Sequence, residues 1–235
     1  MAMLQQSENP TLAEAVYGRL KFDLMIGALL PGQRLSIHTL SASTGAGASP
    51  VREALKRLAS ERALEGSAKR SYGVPELSDR RAVDLFNLRT LLECEAATLA
   101  LPRFGPTLLP GLRSAARQME IALKAGDLDS YMRQNLAFHF HIYEQCGNAD
   151  MVAMIEQLWA QTGPSLRRGM QAASYDASWN RQHLAMVGAL ESRDATALKR
   201  EMMRDIGWGA EHYTVRTDPS PGHSGQVIGW KAKNP

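Results

Sequence analysis

The chain has 235 residues, 44% hydrophobic and 22% charged, which excludes a mostly disordered polymer and suffices for a core without covalent staples. No apolar run approaches the roughly 20 residues needed to cross a bilayer, and the start MAMLQQSENP lacks the basic and apolar regions of a signal peptide, so a cytoplasmic protein is expected. The net charge of +3 names no partner by its size, but between Ala48 and Val74 six basic residues (Arg52, Lys56, Arg57, Arg62, Lys69, Arg70) face three acids (Glu53, Glu61, Glu65), so one short segment holds an excess equal to that of the whole chain.

Thr11 opens the first predicted helix, with Glu14 at capping-box spacing and Leu12, Val16, Leu20 and Leu24 as its apolar stripe, and Gly27 stops it. After a Pro31-Gly32 turn, Ser36 caps a short second helix with Ile37 and Leu40 inward, and the small residues from Ser43 to Gly47 allow a tight reversal. In the third helix Ser49 is expected at the N-cap and Pro50 at the first helical position. Val51, Ala54, Leu55 and Leu58 form its buried stripe, while Ser49, Arg52 and Lys56 share a polar face. The run SAKRSYGVPEL then reads as two short strands joined by a basic tip, which completes the order of a winged helix-turn-helix.

From Ser78 the periodicity is helical, with helices predicted over residues 79–101, 108–125, 127–146, 149–173 (broken at Gly163-Pro164), 176–192 and 195–213. No alternating strand-length run competes, so this half is expected to be an all-α bundle. Cys94 and Cys146 fall inside helical patterns without CxxC or metal spacing and read as buried small hydrophobes.

With this order and the stretch SPVREALKRLASERALE in place, the chain resembles the GntR family of bacterial transcription regulators, in its FadR-like branch with a C-terminal helical effector (FCD) domain. The likeness rests on LLPGQRL, SPVREALKRL and YGV in the first half, and on LRTLLECEAA, NLAFHFHIYEQCGN and RQHLAMVGALESRD in the second. It implies a mostly α protein: a flexible N-terminus over 1–10, a winged helix-turn-helix over 11–77, an all-helical effector and dimerisation domain over 78–213, and a disordered tail over 214–235. Arg52 is then the main major-groove contact, with Ser49 and Lys56 toward phosphates, Arg34 and His38 toward the DNA backbone, and Arg70, Tyr72 and Gly73 on the wing. Gly47-Ala48 departs from the pattern, because relatives place a hydroxyl residue and an Arg there.

In metal-binding relatives an Asp and a His four apart join two further His residues; the matching positions here are Asn135, His139, His183 and Asp205, which keep one carboxylate among the four. Two imidazoles, a carboxylate and an amide oxygen suit Zn²⁺ or a similar divalent ion. A metal-free polar pocket stands beside that reading, and His212 is a possible substitute ligand, whereas helical geometry turns His141 away. Arg89 either faces the pocket, toward a carboxylate, or forms a surface pair with Glu93; Trp159, Trp179 and Trp208 either line the cavity or fill core. The expected function is a ligand-responsive repressor that binds a pseudo-palindromic operator on double-stranded DNA as a homodimer in the bacterial cytoplasm, at the nucleoid, without a membrane partner. A small organic acid or sugar acid is its expected effector. The alternative is a metal-dependent enzyme using His139, His183 and Asp205.

Overall fold

The structure, a computed structural model, describes residues 10–67, 71–173 and 177–214. The predicted flexible N-terminus therefore lies outside the described residues up to position 9, and the predicted tail from position 215 onward. None of the helices is long and apolar enough to cross a membrane among the described residues.

Helix α1 spans Leu12–Met25, and its capping box is complete: Glu14 N–H donates to the Thr11 hydroxyl, and Thr11 N–H donates to the Glu14 carboxylate at 2.7 Å. Val16, Leu20 and Leu24 are buried, whereas Leu12, expected in the same stripe, is 63% exposed in the first turn. The helix closes at Gly27, whose φ of +66° is the left-handed conformation that favours glycine.

Strand β1 (Arg34–Leu35) precedes α2 (Ile37–Thr44) and α3 (Ala48–Ser60), and strands β2 (Glu65–Ser67) and β3 (Ser71–Gly73) follow. The wing is a three-stranded antiparallel sheet in the order β1-β3-β2, with Arg34 opposite Gly73 and Leu35 opposite Tyr72. Two strands were expected; β1, at two residues, is too short to show alternation in a sequence. Ile37 and Leu40 are half-buried and pack against the core, while Val51, Ala54, Leu55 and Leu58 of α3 are buried as the stripe requires.

The start of α3 differs from the expectation. Gly47, not Ser49, is the N-cap, and Ser49 and Pro50 are the second and third helical residues. Gly45 ends α2 in the left-handed conformation and Ala46 is plugged into the core at 4% exposure, so the chain has already turned at Gly47. Pro50 remains harmless because the first four N–H groups of a helix have no intrahelical partner. Nothing from a Gly47 side chain caps these groups, and Gly47, Ala48 and Ser49 are exposed.

The second half contains α4 (Asp79–Ala100), α5 (Leu109–Ala125), α6 (Leu128–Tyr143), α7 (Ala149–Ala172), α8 (Arg181–Ser192) and α9 (Ala195–Thr214). Side chains of Ser78, Asp127 and Asn148 cap α4, α6 and α7. Helix α4 packs against α6, α7 and α9, and α8 lies between α5 and α9. The predicted break at Gly163-Pro164 is absent: α7 runs straight through. Tertiary packing overrides the proline here, since Gly163, Pro164 and Ser165 are all buried and Gly163 seats the backbone of α1. Cys94 and Cys146 are buried free thiols, and burial pushes the Cys94 thiol up to about 12, so it is inert at neutral pH.

Candidate functional site

Asn135, His139 and Tyr143 follow one another at four-residue steps on the inner face of α6. Helices α8 and α9 bring His183 and Asp205 to the same point. The His139 and His183 Nε2 atoms lie 3.2 Å apart, Asp205 carboxylate oxygens lie 3.2 Å from His139 Nε2 and 3.6 Å from His183 Nε2, and Asn135 Oδ1 lies 2.8 Å from His183 Nε2. Ligand atoms held at 2.0–2.2 Å from one Zn²⁺ ion stand about 3–3.5 Å from one another, so this spacing fits a common ion. Among the described residues, His139, His183 and Asp205 are the group of metal-ligating type whose donor atoms all fall within 4.8 Å of one another.

The electrostatics suit a cation. Burial pushes the His183 imidazole down to about 4, against the opposing pull of Asp205, so it is neutral at pH 7. Burial raises the Asp205 carboxyl, but His183, His139 and the Arg89 guanidinium outweigh it and hold it at about 2. The site thus presents an ionised carboxylate beside an uncharged, deprotonated imidazole nitrogen.

A second layer orients these groups. His139 Nδ1 is 3.0 Å from Tyr143 Oη, whose hydroxyl donates to Glu93 Oε2 at 2.5 Å. Trp159 Nε1–H and Arg89 Nε–H donate to Glu93 Oε1 at 3.0 and 2.6 Å, and Arg89 also reaches the Thr162 hydroxyl at 3.3 Å. Arg89 therefore makes the i,i+4 pair with Glu93, but at 4% exposure it is a buried pair beside the site rather than a surface one. Burial alone would lower the Arg89 guanidinium, and Glu93 more than restores it, so the cation persists. Tyr143 is pushed well above its ordinary range by burial and then by Glu93, which keeps its hydroxyl proton available as a donor.

Arg89, Asn135 and Asp205 share a narrow cavity of about 30 Å³ with Trp159, Trp179 and Trp208, room for about one water. All three tryptophans line it. A wider groove of about 780 Å³ lies outside, between α4, α8 and α9, and Gln182 and Trp208 border both spaces. His141 is turned away and hydrogen-bonds the Leu108 carbonyl at 3.0 Å; the side chain of His212 lies outside the described residues.

In the first half, Arg34, His38, Ser49, Arg52 and Lys56 are exposed. Tyr72 is not: at 2% exposure it belongs to the core, and Gly73 is buried next to it, so neither presents a side chain to DNA. The reason is that β3 is the middle strand of the sheet, flanked by β1 and β2, and the Tyr72 ring joins the core. Arg70 lies outside the described residues.

Sequence reasoning missed Tyr143 and Thr162 as members of the site. Tyr143 had a readable signal, four residues after His139 on the same face; Thr162 had none.

The FCD domain model matches residues 84–207, and the model for bacterial regulatory proteins of the gntR family matches residues 12–74. The chain belongs to the GntR family. Its FadR-like architecture, a GntR helix-turn-helix followed by an FCD domain, makes it a transcription regulator and not an enzyme. It is 33% identical to the HTH-type transcriptional regulator McbR of Escherichia coli over 190 residues, covering 80% of this chain and 86% of that protein. It is 28% identical to the E. coli transcriptional repressor GlaR over 80% of this chain and 89% of that protein. The E. coli McbR/YncC structure superimposes with a TM-score of 0.81 at 29% identity, covering 87% of this chain and all (100%) of that one. A GntR regulator from Rhodococcus sp. RHA1 shares the fold at TM-score 0.73 and 16% identity, over 88% of this chain and 99% of its own.

Proposed function

We propose that this GntR regulator is a homodimeric repressor whose helical domain takes a divalent metal and a small organic acid or sugar acid, and whose DNA-binding domain reads a pseudo-palindromic operator in the bacterial cytoplasm. The observation that carries it is the convergence of Asn135, His139, His183 and Asp205 beside the buried cation of Arg89. An ion held by Asn135, His139, His183 and Asp205 would supply positive charge; Arg89, with its fork fixed by Glu93, adds directed N–H donors for a carboxylate. The small inner cavity is reached from the outer groove past Gln182 and Trp208, so an acid enters by displacing that rim. GlaR, a repressor by its name, supports the sign of regulation.

On DNA, Arg52 reads base edges in the major groove, with Ser49 and Lys56 on phosphates and Arg34 and His38 on the flanking backbone; the exposed start of α3 adds N–H donors for a phosphate. The working boundaries are 11–77 for the DNA-binding domain and 78–213 for the effector domain. Dimerisation through the helical domain is favoured by Leu88, Leu91 and Leu99 of α4, exposed at 45%, 68% and 42%.

The test is selection of duplexes from a random pool by the full chain, with and without Zn²⁺ and a panel of small acids, alongside metal content after purification without chelator or metal-affinity tag. A palindromic consensus whose occupancy falls with an acid, only in metal-loaded protein, is the expected result. Absence of metal and of any acid response overturns the effector reading.

A further inference from the structure

One helix of this protein serves both domains. From α7, Trp159 and Thr162 reach inward to Glu93 and Arg89, and Leu166 and Met170 line the inner cavity. On another side of α7, Glu156 accepts a 2.7 Å hydrogen bond from Lys21 Nζ of α1, and Lys21 is only 4% exposed. A lysine ammonium taken out of water demands a paired charge, so this contact specifies where α1 sits.

At Gly163, the residue after Thr162, the backbones themselves meet. A Cβ on Gly163 would fall 2.5 Å from the Met25 carbonyl oxygen and as close to that of Leu24, and a Cβ on Gly27 would fall 2.8 Å from the Gly163 carbonyl oxygen. The joint between α1 and α7 therefore has no slack.

From Lys21 the chain of contacts runs on to the recognition helix. Lys21 Nζ lies 5.5 Å from the centroid of the Tyr17 ring, and the Tyr17 hydroxyl donates to Glu61 Oε1 at 2.8 Å, at the C-terminus of α3. The Arg57 guanidinium stacks 3.8 Å over the same ring and pairs with Glu61 at 3.3 Å. The Arg168–Glu76 and Arg81–Gln161 contacts, both 2.8 Å, tie the interdomain segment and the start of α4 to α7 as well.

We propose that the α1–α7 joint, Glu156 with Lys21 and Gly163 with the end of α1, is the element that carries occupancy of the metal and acid pocket to the recognition helix. Displacing Trp159 or Thr162 moves α7, and a joint without slack moves α1 and the attached α3 with it. Lys21, Glu156 and Gly163 are positioning residues that touch neither ligand nor DNA. The proposal rests on the pocket reading above, so its test has one arm that needs no ligand.

Amide hydrogen exchange on the full chain, metal-free and with Zn²⁺, is compared for wild type, Gly163→Ala and Glu156→Gln. The expected result is slowed exchange in α7, α1 and α3 of wild type, with the α1 and α3 response lost in both variants while the α7 response persists. An unchanged α1 response in both variants, or a wild-type response confined to α7, overturns the joint. Calorimetry of metal-free protein is the second arm: a single unfolding transition in wild type that splits into two in Gly163→Ala is expected. If wild type takes up no Zn²⁺, the pocket reading falls, and one transition in both proteins then overturns the joint independently.

Discussion

The Tyr143 hydroxyl stands between His139 and Glu93, 3.0 Å from His139 Nδ1 and 2.5 Å from Glu93 Oε2. Because that hydroxyl proton goes to Glu93, Tyr143 Oη is an acceptor for His139 Nδ1–H, the tautomer in which Nε2 would be free to hold a metal ion. Tyr143→Phe removes this tautomer lock and leaves Glu93 short of a donor. Zn²⁺ affinity measured by competition with a chelating dye is expected to fall about 10–100-fold, with the helical content unchanged. Equal affinity in the variant would show that the tautomer is set elsewhere.

Asn135 contributes a neutral oxygen where an ionised one would bind a cation better. Asn135→Asp is expected to raise divalent-metal affinity and His183→Ala to lower it, read as metal content by elemental analysis of protein purified without chelator. Equal, near-zero metal in wild type and both variants would leave Arg89 and the polar pocket as the effector site.

Arg52 and Leu55 stand one turn apart in α3 and differ in burial, the first exposed and the second at 0% exposure. Arg52→Ala is expected to weaken binding to the selected operator by about 1–3 kcal/mol per half-site with thermal stability retained. Leu55→Ala is expected to cost about 2–5 kcal/mol of stability in the DNA-binding domain. Gel-shift titration and thermal melting of both variants separate these effects; wild-type affinity in a folded Arg52→Ala protein would move the DNA surface away from this face.

Acid should destabilise the metal-free protein in two stages. His183 titrates at about 4 when folded, below its ordinary 6.5, so the unfolded chain binds the extra proton first and stability falls as pH drops from 6.5 toward 4. That window corresponds to about 3 kcal/mol at full effect. Asp205, held at about 2 rather than 3.8, adds a further loss below pH 4 in the same direction. Urea unfolding in EDTA between pH 4 and 7.5 checks the first stage, and His183→Gln should flatten it.

Local chemistry was enough for much of this protein. The capping box at Thr11, the apolar stripe of α3, the helical periodicity beyond Ser78 and the four-residue step from Asn135 to His139 all depend on neighbours within a turn or two, which a sequence displays directly. The family resemblance placed His183 and Asp205 beside them. What only the tertiary structure decided involves partners far apart in the chain. Pro164 stays inside a continuous α7 because Gly163 is packed on α1; Tyr72 is core because β3 is covered on that side; and Arg89 is buried because Glu93, Trp159 and Thr162 enclose it. The Lys21–Glu156 pair spans 135 residues of sequence, and no periodicity announces it. Burial and pairing of a charge are properties of the assembled surface around it, so they appear only once the helices have met.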